Sequence, residues 1–465
     1  MDRLTESVTQ LDALFHPESI AVVGAPQGMK TGKLLLLALL DMGFPGAIYP
    51  VNPKAEEIEG LKTYPSVSAI PGPVDLAIIL VSQRLVLSVI HECGAKGVKG
   101  AVLFTAGYKE TGTKEGRDLE DEIAQTARSY GMRLIGPNCM GLHSPKTGLS
   151  FFPELSKESG PVGLISHSGS LGNILGFIAA QKGIRFSKAV SLGNECDLTS
   201  ADFLAYLGQD SETKLIGAYL EGIKDGPFFL KALKAASLKK PVILWKMGLT
   251  PEGGRAAASH TGALAGSSEV WAGVVRQGGG VSVVGFEAWV DAIMAFSMLP
   301  SGLGDRLTVI SGPGGLAVSA AEACGSAGLR MAELSPETRS VLAEFVDPTG
   351  TSLRNPIDVG LGASLNMDIY VRAAQASDND PGVDATVMVA AALTPETNQR
   401  FTESMITAHK DFHKPLILVG VPGLEGSLGD VFRQAGIPFF DSAERAMNTY
   451  ALVRRYQLWQ RERTG

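Results

Sequence analysis

Several features that would define a functional class are missing from this 465-residue sequence. Its cysteines, Cys93, Cys139, Cys196 and Cys324, include no C-x-x-C pair, so neither a disulfide framework nor a zinc site is expected. The net charge is −7 without a lysine and arginine stripe, which argues against nucleic acid or a membrane surface as a partner. The apolar runs are too short to span a bilayer, and the N-terminus lacks the apolar core of a signal peptide. A globular cytoplasmic protein is the expectation.

Glycine, in contrast, is abundant, with 55 residues, and it punctuates short β-branched runs that alternate with helix-length segments. This alternation predicts an α/β fold of three consecutive doubly wound parallel sheets. The expected domains are residues 1–150, 151–302 and 303–465, with a Gly/Pro-rich linker before the third. The predicted strands include Ser19–Val23, Ala47–Val51, Leu76–Val81, Ala101–Phe104, Arg133–Ile135, Lys188–Leu192, Leu215–Leu220, Val242–Trp245, Val281–Val284, Leu307–Ser311, Ala385–Ala390 and Leu416–Val419.

The first domain opens with a glycine-rich turn between a strand and an apolar helix. Its spacing is G-x-x-x-G-x-x-x-G, and the second strand ends at Asn52-Pro-Lys54 where an NAD enzyme would carry an acid, so a nicotinamide dinucleotide fits poorly. Lysines around the turn favour a phosphate-rich ligand such as coenzyme A (CoA). A turn that binds no phosphate is the alternative. The candidate CoA-binding residues are Gly24, Ala25, Gly28, Lys30, Lys33, Asn52, Lys54, Val81, Ser82, Thr105, Ala106, Gly107, Asn138 and Cys139. As a separate question, Cys139 could be a nucleophile, but a buried thiol is favoured.

A second turn, at the start of the second domain, has the character of an anion site. The strand ending at Ser166 passes through His167 into Ser168-Gly169-Ser170-Leu171-Gly172, which presents hydroxyl groups and free N–H groups at a helix start. His167 is a candidate catalytic histidine, ranked below a second one because its neighbours serve the helix start.

That second histidine, His260, lies in a run of small side chains from Arg255 to Gly266, predicted here as a loop after the strand of segment 241–248. No Cys or His stands at metal-ligand spacing, and no G-x-S-x-G motif supplies a serine, which leaves the ring nitrogen as a nucleophile. Glu221 closes another strand, where its carboxylate could hold one ring nitrogen of His260. A surface acid is the alternative for Glu221.

Four motifs together carry a family resemblance: Gly-Pro-Asn-Cys-Met-Gly at 136–141, Ser-His-Ser-Gly-Ser-Leu-Gly at 166–172, Tyr-Leu-Glu-Gly at 219–222 and Ser-His-Thr-Gly-Ala-Leu-Ala-Gly at 259–266. With them the chain resembles, over nearly its whole length, the nucleoside-diphosphate (NDP)-forming acyl-CoA synthetases. It is most similar to the α subunits of ADP-forming acetyl-CoA synthetase and more distantly similar to succinyl-CoA synthetase.

The resemblance implies a Rossmann-like CoA-binding domain, a flavodoxin-like phosphohistidine domain and a third flavodoxin-like domain. In that family acyl-CoA and phosphate give acyl phosphate and CoA, a histidine takes the phosphoryl group, and ADP receives it. The resemblance assigns the phosphohistidine to His260 and its support to Glu221. It further implies Mg²⁺ bound with ATP or ADP mainly by a separate ATP-grasp β subunit, in an α2β2 assembly.

Two departures from the family pattern concern the CoA or acyl pocket and leave the acyl group open. Ser82 stands where proline is expected, and the serine expected after Gly24-Ala25 is missing. In the third domain, the turn Ser311-Gly-Pro-Gly-Gly and the segment Asn355-Pro-Ile-Asp358, which resembles a family motif, are interpreted as structural, an interdomain contact.

Two other functional classes remain open. A CoA transferase or acyl-CoA hydrolase would make His260 a base or dispensable, and a CoA-sensing regulatory subunit would need none of the phosphate chemistry. The presence of Ser168, Ser170, Glu221 and His260 argues against a pure sensor.

Overall fold

Parallel strands joined by helices form three larger sheets in the part of the chain that the structure describes. The structure, a computed structural model, describes residues 3–261, 266–390, 394–421 and 428–464, without the side chains of residues 258–261 and 395. Two compact units divide the chain, Met1–Ala179 with Arg185–Gly285 and Ala180–Ile184 with Phe286–Gly465. The predicted class of successive doubly wound parallel sheets is confirmed.

The first sheet belongs to the first unit. Its region contains strands β1 (Ser19–Val23), β2 (Ala47–Val51), β3 (Glu57–Ile58), β4 (Leu61–Lys62), β5 (Leu76–Ile79), β6 (Gly100–Leu103) and β7 (Arg133–Ile135), and helices α1 (Arg3–Phe15), α2 (Lys33–Met42), α3 (Gln83–Lys96) and α4 (Lys114–Ser129). The parallel order is β2-β1-β5-β6-β7, and β3 and β4 form a separate antiparallel pair. Because the chain leaves β1 first on one side and then on the other, a crevice opens at the carboxyl ends of β1 and β5.

The second sheet lies in the same unit. Its elements are β8 (Gly141–His143), β9 (Val162–Ser166), β10 (Phe186–Ser191), β11 (Leu215–Leu220), β12 (Val242–Lys246), β13 (Val281–Val283), α5 (Gly169–Ala179), α6 (Ser200–Gln209), α7 (Gly226–Ser237), α8 (Pro251–Thr261) and α9 (Ser268–Gly278). The order is β13-β12-β11-β9-β10-β8, parallel except for the edge strand β8, which the sequence did not predict. Here the order reverses at β9, so the crevice lies between the ends of β9 and β11.

The third sheet belongs to the second unit. Its elements are β14 (Arg306–Ser311), β15 (Arg330–Met331), β16 (Ile357–Asp358), β17 (Ala385–Val389), β18 (Leu416–Val419), β19 (Phe439–Phe440), α10 (Phe286–Met298), α11 (Gly314–Ser326), α12 (Pro336–Ala343), α13 (Asp368–Asn379), α14 (Pro395–His409), α15 (Leu428–Gln434) and α16 (Ala443–Thr464). The order is β15-β14-β17-β18-β19, with β16 paired to β14. Arg445 of α16 forms two hydrogen bonds, of 2.7 and 2.8 Å, to Asp291 of α10.

Helix α1, which the sequence did not predict, joins the two sheets of the first unit. Its side chains Leu11, Leu14 and Phe15 are buried in one apolar cluster with residues of both sheets. The Phe15 ring stacks on Tyr206 of α6 at a centroid distance of 5.2 Å and meets Phe203 edge-on at 6.3 Å. Each such buried side chain contributes about 1.5–3 kcal/mol, so α1 fixes the two sheet edges relative to each other.

The loop predicted around His260 is wrong in its first part, because α8 runs from Pro251 to Thr261. Proline suits the first turn of a helix, and the alanines after Arg255 have the highest helix propensity, so the small side chains indicate helix here. Residues 262–265 lie outside the described residues. Within the described ranges, no helix combines the length and the apolar character needed to cross a membrane.

Candidate active site

The crevice of the second sheet brings two predicted site segments together. Ser168 follows the end of β9, and Glu221 follows the end of β11. These ends are hydrogen-bonded to each other, since the backbone N–H of His167 donates to the carbonyl oxygen of Tyr219 at 3.1 Å. The predicted anion turn and the predicted supporting carboxylate therefore flank one crevice.

The anion turn is a capped helix start. The Ser168 hydroxyl accepts from the N–H of Leu171 at 3.3 Å and lies 3.2 Å from the Ser170 hydroxyl, while the Ser166 hydroxyl donates to the Ser168 carbonyl at 2.7 Å. Gly169 approaches Met140 so closely that a Cβ would lie 2.7 Å from its Cγ. The N–H groups that open a helix have no intrahelical acceptor, so this turn can offer them to an anion together with the serine hydroxyls.

His167 is a bracing residue of this site. It is 4% exposed, its Nε2 lies 3.1 Å from Oε1 of Glu195, and its Nδ1 accepts from the backbone N–H of Glu221 at 3.1 Å. This pattern assigns the ring proton to Nε2, which donates to Glu195. Because both ring nitrogens are engaged within the fold, His167 is a poor nucleophile, in agreement with its lower rank.

Glu195 is a site residue that sequence reasoning missed. It lies in the loop between β10 and α6 at a φ of 56°, and its Oε1 also accepts from the N–H of Ser200. Burial opposes ionisation, but His167 and the Ser200 N–H together hold the pKa of Glu195 below its ordinary value. The left-handed backbone angle of a non-glycine residue is the kind of feature that clusters at functional sites.

Glu221 is buried, with 3% exposure, so its interpretation as a surface acid is wrong. Its Oε1 accepts from the Tyr219 hydroxyl at 3.1 Å, and its carbonyl oxygen accepts from Nζ of Lys246 at 2.9 Å. Burial first, and then the neighbouring Glu221 charge, raise the pKa of Tyr219 above its ordinary value, so this phenol remains a donor. The carboxylate is held in one place inside the crevice.

The His260 segment begins and ends beside Glu221. A Cβ on Gly248, at a φ of 76°, would lie 3.7 Å from the carbonyl oxygen of Glu221, and the N–H of Gly266 donates to the carbonyl of Gly248 at 3.2 Å. Helix α8, which contains His260, also packs against a 3-10 turn at Lys109–Thr111. The side chain of His260 is outside the described residues, so its contact with Glu221 stays a prediction.

The crevice of the first sheet collects the first CoA candidates. Gly24 has a φ of 87°, and a Cβ there would lie 2.8 Å from Cγ1 of Val81, so only glycine fits. Asn52 donates from Nδ2 to the Ala25 carbonyl at 2.9 Å and fixes the turn. Ser82 directly precedes α3. The glycine turn therefore packs directly against the chain just beyond the end of β5, at the crevice where ligands of this architecture bind.

The next strand ends are linked in series. The Thr105 hydroxyl donates to the Val81 carbonyl at 2.6 Å, the N–H of Asn138 donates to the Thr105 carbonyl at 3.1 Å, and the carbonyl of Gly107 accepts from the Gln83 side chain. Cys139 is a buried thiol, as favoured from the sequence, and burial raises its pKa to about 12, which excludes a thiolate nucleophile.

The lysine candidates differ from one another. Lys33 is buried, donates from Nζ to the Gln27 carbonyl at 2.8 Å and pairs with Glu59 at 2.5 Å, so its charge is used inside the fold. The exposed candidates along this edge are Gly28, Lys30, Lys54, Ser82 and Ala106. Lys30 and Lys54 are thus the cations of this set that a ligand can reach.

In the third sheet, Asn355 has a structural role. Its Oδ1 accepts from the N–H of Val309 at 2.9 Å, and its Nδ2 donates to the carbonyls of Leu307 and Ala332 at 2.7 and 2.9 Å. Asp358 accepts from the N–H of Gly360 at 2.9 Å. These bonds all lie inside the second unit, where they fix the end of β14.

Comparisons with known proteins match both sheets of the first unit. A sequence-family model described as a CoA binding domain matches residues 18–145, and one described as a succinyl-CoA ligase like flavodoxin domain matches residues 159–296.

Relatives extend the similarity to the whole chain. It is 37% identical over 451 residues to the acetate–CoA ligase [ADP-forming] II subunit alpha of Pyrococcus furiosus, covering 95% of this chain and 97% of the relative. It is also 37% identical to acetate–CoA ligase [ADP-forming] I of Archaeoglobus fulgidus, covering 96% of this chain but 64% of that relative. Among solved structures, the dinucleotide forming acetyl-coenzyme A synthetase 1 of Ca. Korarchaeum cryptofilum, in complex with phosphate and ADP, superposes with a TM-score of 0.88 at 35% identity, covering 98% and 99% of the two chains.

Proposed function

This chain belongs to the α subunits of the NDP-forming acyl-CoA synthetases, and from that membership we propose that it interconverts acyl-CoA, ADP and phosphate with a carboxylic acid, CoA and ATP. Its relatives are ligases, and so is this chain. The observation that carries the proposed mechanism is the crevice of the second sheet, where a capped helix start and the buried carboxylate of Glu221 lie next to the root of the His260 segment. No comparison supports a transferase, a hydrolase or a sensor.

The proposed chemistry has three transfers. A phosphate oxygen attacks the thioester carbonyl carbon of acyl-CoA, the C–S bond breaks, and CoA leaves as the thiolate. A ring nitrogen of His260 then attacks phosphorus of the acyl phosphate, the P–O bond to the acyl group breaks, and the carboxylate leaves. A terminal oxygen of ADP finally attacks the phosphohistidine, which releases the imidazole and forms ATP.

Glu221 has the role of orienting His260 in this proposal. A buried carboxylate that accepts a hydrogen bond from one ring nitrogen leaves the other unprotonated for attack, and it stabilises the positive ring of phosphohistidine. Tyr219 and the His167 brace hold the carboxylate and its backbone in place. Since the site is buried, these groups act with little competition from water.

The start of α5 has the role of holding phosphoryl oxygens. Its first backbone N–H groups and the hydroxyls of Ser168 and Ser170 lie across the crevice from Glu221. The helix dipole adds about 0.3–1 kcal/mol for an anion at this position, so hydrogen bonds carry most of the binding.

A separate subunit supplies the nucleotide site in this proposal. The Pyrococcus relative is named a subunit alpha and matches this chain end to end, whereas the Archaeoglobus relative extends beyond the matched part. We infer an ATP-grasp β subunit in an α2β2 assembly, with Mg²⁺ entering with the nucleotide. In the described ranges, no group of three or more His, Cys, Asp or Glu side chains could hold a metal ion. The four free cysteines fit a reducing compartment, and the proposal includes a cytoplasmic location.

Phosphohistidine formation is the direct test. The holoenzyme, this chain with its co-expressed partner, is incubated with Mg²⁺ and γ-labelled ATP and assayed for acid-labile, base-stable label. We expect label on the wild-type chain and none on a His260→Asn chain in the same complex. An unlabelled wild-type chain in a complex that still makes thioester would refute the phosphohistidine mechanism. Equal labelling of the His260→Asn chain would refute the assignment of the phosphohistidine to His260.

A further inference from the structure

Two lysines lie in the segments that follow β6 and β11, one from each sheet of the first unit. Lys109 begins the 3-10 turn that follows β6, and Lys224 stands in the loop between β11 and α7, which also contains Glu221. Their ammonium groups approach closely enough to interact directly. In residues 3–261 and the other described ranges, neither ammonium forms an ion pair or donates a side-chain hydrogen bond to an acceptor.

The nearby carboxylates Glu120 and Glu195 offset part of the repulsion within this pair, while they also accept hydrogen bonds from other groups. Oε2 of Glu120 accepts from Nδ2 of Asn194 at 2.8 Å and from the backbone N–H of Lys109 at 3.3 Å. Oε1 of Glu195 accepts from His167 and the backbone N–H of Ser200. The net pKa of Lys109 is still lowered, so part of the repulsion between the two ammonium groups remains for an anionic ligand to relieve.

The repulsion between the two ammonium groups shifts the pKa of Lys109 in a definite direction. Burial first, and then the interaction with Lys224, lower the pKa of Lys109 to about 8, although Glu120 and Glu195 act in the opposite direction. A dianion placed between two such cations forms charge-assisted hydrogen bonds with both and favours the protonated form of Lys109.

The position of the pair indicates which anion it serves. The turn that contains Lys109 is four residues past Thr105 at the CoA edge, as counted along the sequence, and it packs against α8, the helix of His260. Lys224 follows the supporting carboxylate. The pair thus lies beside the helix that contains His260 and the loop that contains Glu221.

We propose that Lys109 and Lys224 together bind the phosphoryl group, first as inorganic phosphate and then as acyl phosphate. This inference rests on the proposed function and adds its phosphate-binding cations. While the phosphate oxygen forms its bond to the carbonyl carbon and the C–S bond breaks, the two ammonium groups hold the other phosphoryl oxygens. They place the anion and neutralise it, and no proton need leave them.

The kinetic test uses the holoenzyme in the direction that consumes acyl-CoA and phosphate. We expect Lys109→Gln and Lys224→Gln each to raise KM for phosphate at least tenfold, with KM for CoA in the reverse direction changed less than twofold. Lys109→Arg should recover most of the loss. The matched control is Lys114→Gln, which removes an exposed lysine paired with Asp118 from the same stretch of chain and should change neither constant.

Binding is measured separately on this chain in its complex without acyl-CoA or nucleotide. Inorganic phosphate should raise Tm of the wild-type complex and of His260→Asn, but not of the two glutamine variants. This comparison separates the phosphate-binding role of the two lysines from the phosphohistidine mechanism, since phosphate can still bind when His260 is not labelled. An unchanged phosphate KM in both glutamine variants, or a rise in KM for CoA instead, would overturn the assignment.

A pH profile distinguishes a bound phosphate from a merely structural pair. The groups that face the Lys109 amine are Lys224, Glu120 and Glu195. Above a pH of about 8 the free Lys109 amine loses its proton, so phosphate KM should rise with pH in the wild type. Lys109→Arg stays charged and should show no such rise, although phosphate itself ionises identically in both experiments. Parallel profiles for the two enzymes would overturn the proposal.

Discussion

Replacement of Glu221 by glutamine tests the supporting carboxylate with almost no change of shape. The glutamine oxygen can still accept from the Tyr219 hydroxyl, and the backbone bond to His167 is untouched, so the fold should keep its stability. The negative charge is lost. A hydrogen bond to a charged group contributes about 1.5–3 kcal/mol net, and in a site where the carboxylate is 3% exposed water replaces little of it. We therefore expect phosphorylation of His260 to slow by about 10- to 150-fold.

The assay is rapid-quench labelling of the holoenzyme with γ-labelled ATP, followed as the rate at which acid-labile phosphate appears. Tyr219→Phe is the matched control, since it removes the donor but keeps the charge. Because the carboxylate charge proposed to face His260 remains, that variant should slow labelling less than Glu221→Gln does. If Glu221→Gln labels His260 within threefold of the wild-type rate, the carboxylate does not support the histidine and the reasoning fails.

Three further changes probe the same two crevices. His260→Asn should abolish labelling and leave CoA binding within about 1 kcal/mol of wild type, measured by calorimetry, because the proposed mechanism places the ring at the acyl end of CoA and away from its nucleotide part. Glu195→Ala should lower the free energy of unfolding by about 1–3 kcal/mol for each donor left unpaired, His167 among them, as measured by urea denaturation; an unchanged midpoint would show that the brace is dispensable. Gly24→Ala forces a Cβ to 2.8 Å from Val81 and should cost about 1–3 kcal/mol of stability and raise KM for CoA, whereas normal values for both would remove this turn from the CoA site.

The sequence predicts those parts of the fold that depend on local pattern. Buried parallel strands are continuous apolar runs, and their carboxyl ends must meet at sheet edges, so the placement of Ser168 and Glu221 at the sheet edge follows from the strand pattern alone. The small side chains of α8 are compatible with both a loop and a helix, which is why the loop prediction fails there. Pro251 and the alanines after Arg255 were the signal for helix.

The site residues that the sequence does not reveal make contacts between distant segments, and such contacts follow no periodic pattern in the sequence. Glu195 meets His167 across 28 positions of sequence, and Lys109 meets Lys224 across two sheets. The sequence around Glu195 does not distinguish it from any other acidic residue in a loop. Helix α1 is amphipathic, but its packing partner α6 is far away in sequence. Asp12 and Tyr206, which link the two helices by a hydrogen bond, are 194 positions apart, so only the folded chain shows what the apolar face of α1 packs against.

The hydrogen bond between Gly266 and Gly248 closes the intervening stretch at its base, so that its two ends are held together. Both ends of that stretch stand at one point, next to the end of β12 and the Ser267 cap of α9. Because closure is provided at the base, a change in the length or sequence between the two glycines need not displace either neighbouring element, and the entropy of closing a longer insert grows only slowly. A change of length in the stretch that carries His260 is therefore expected to leave the ends of β12 and α9 in place, and under the proposed mechanism this is where an altered phosphoryl carrier would be introduced.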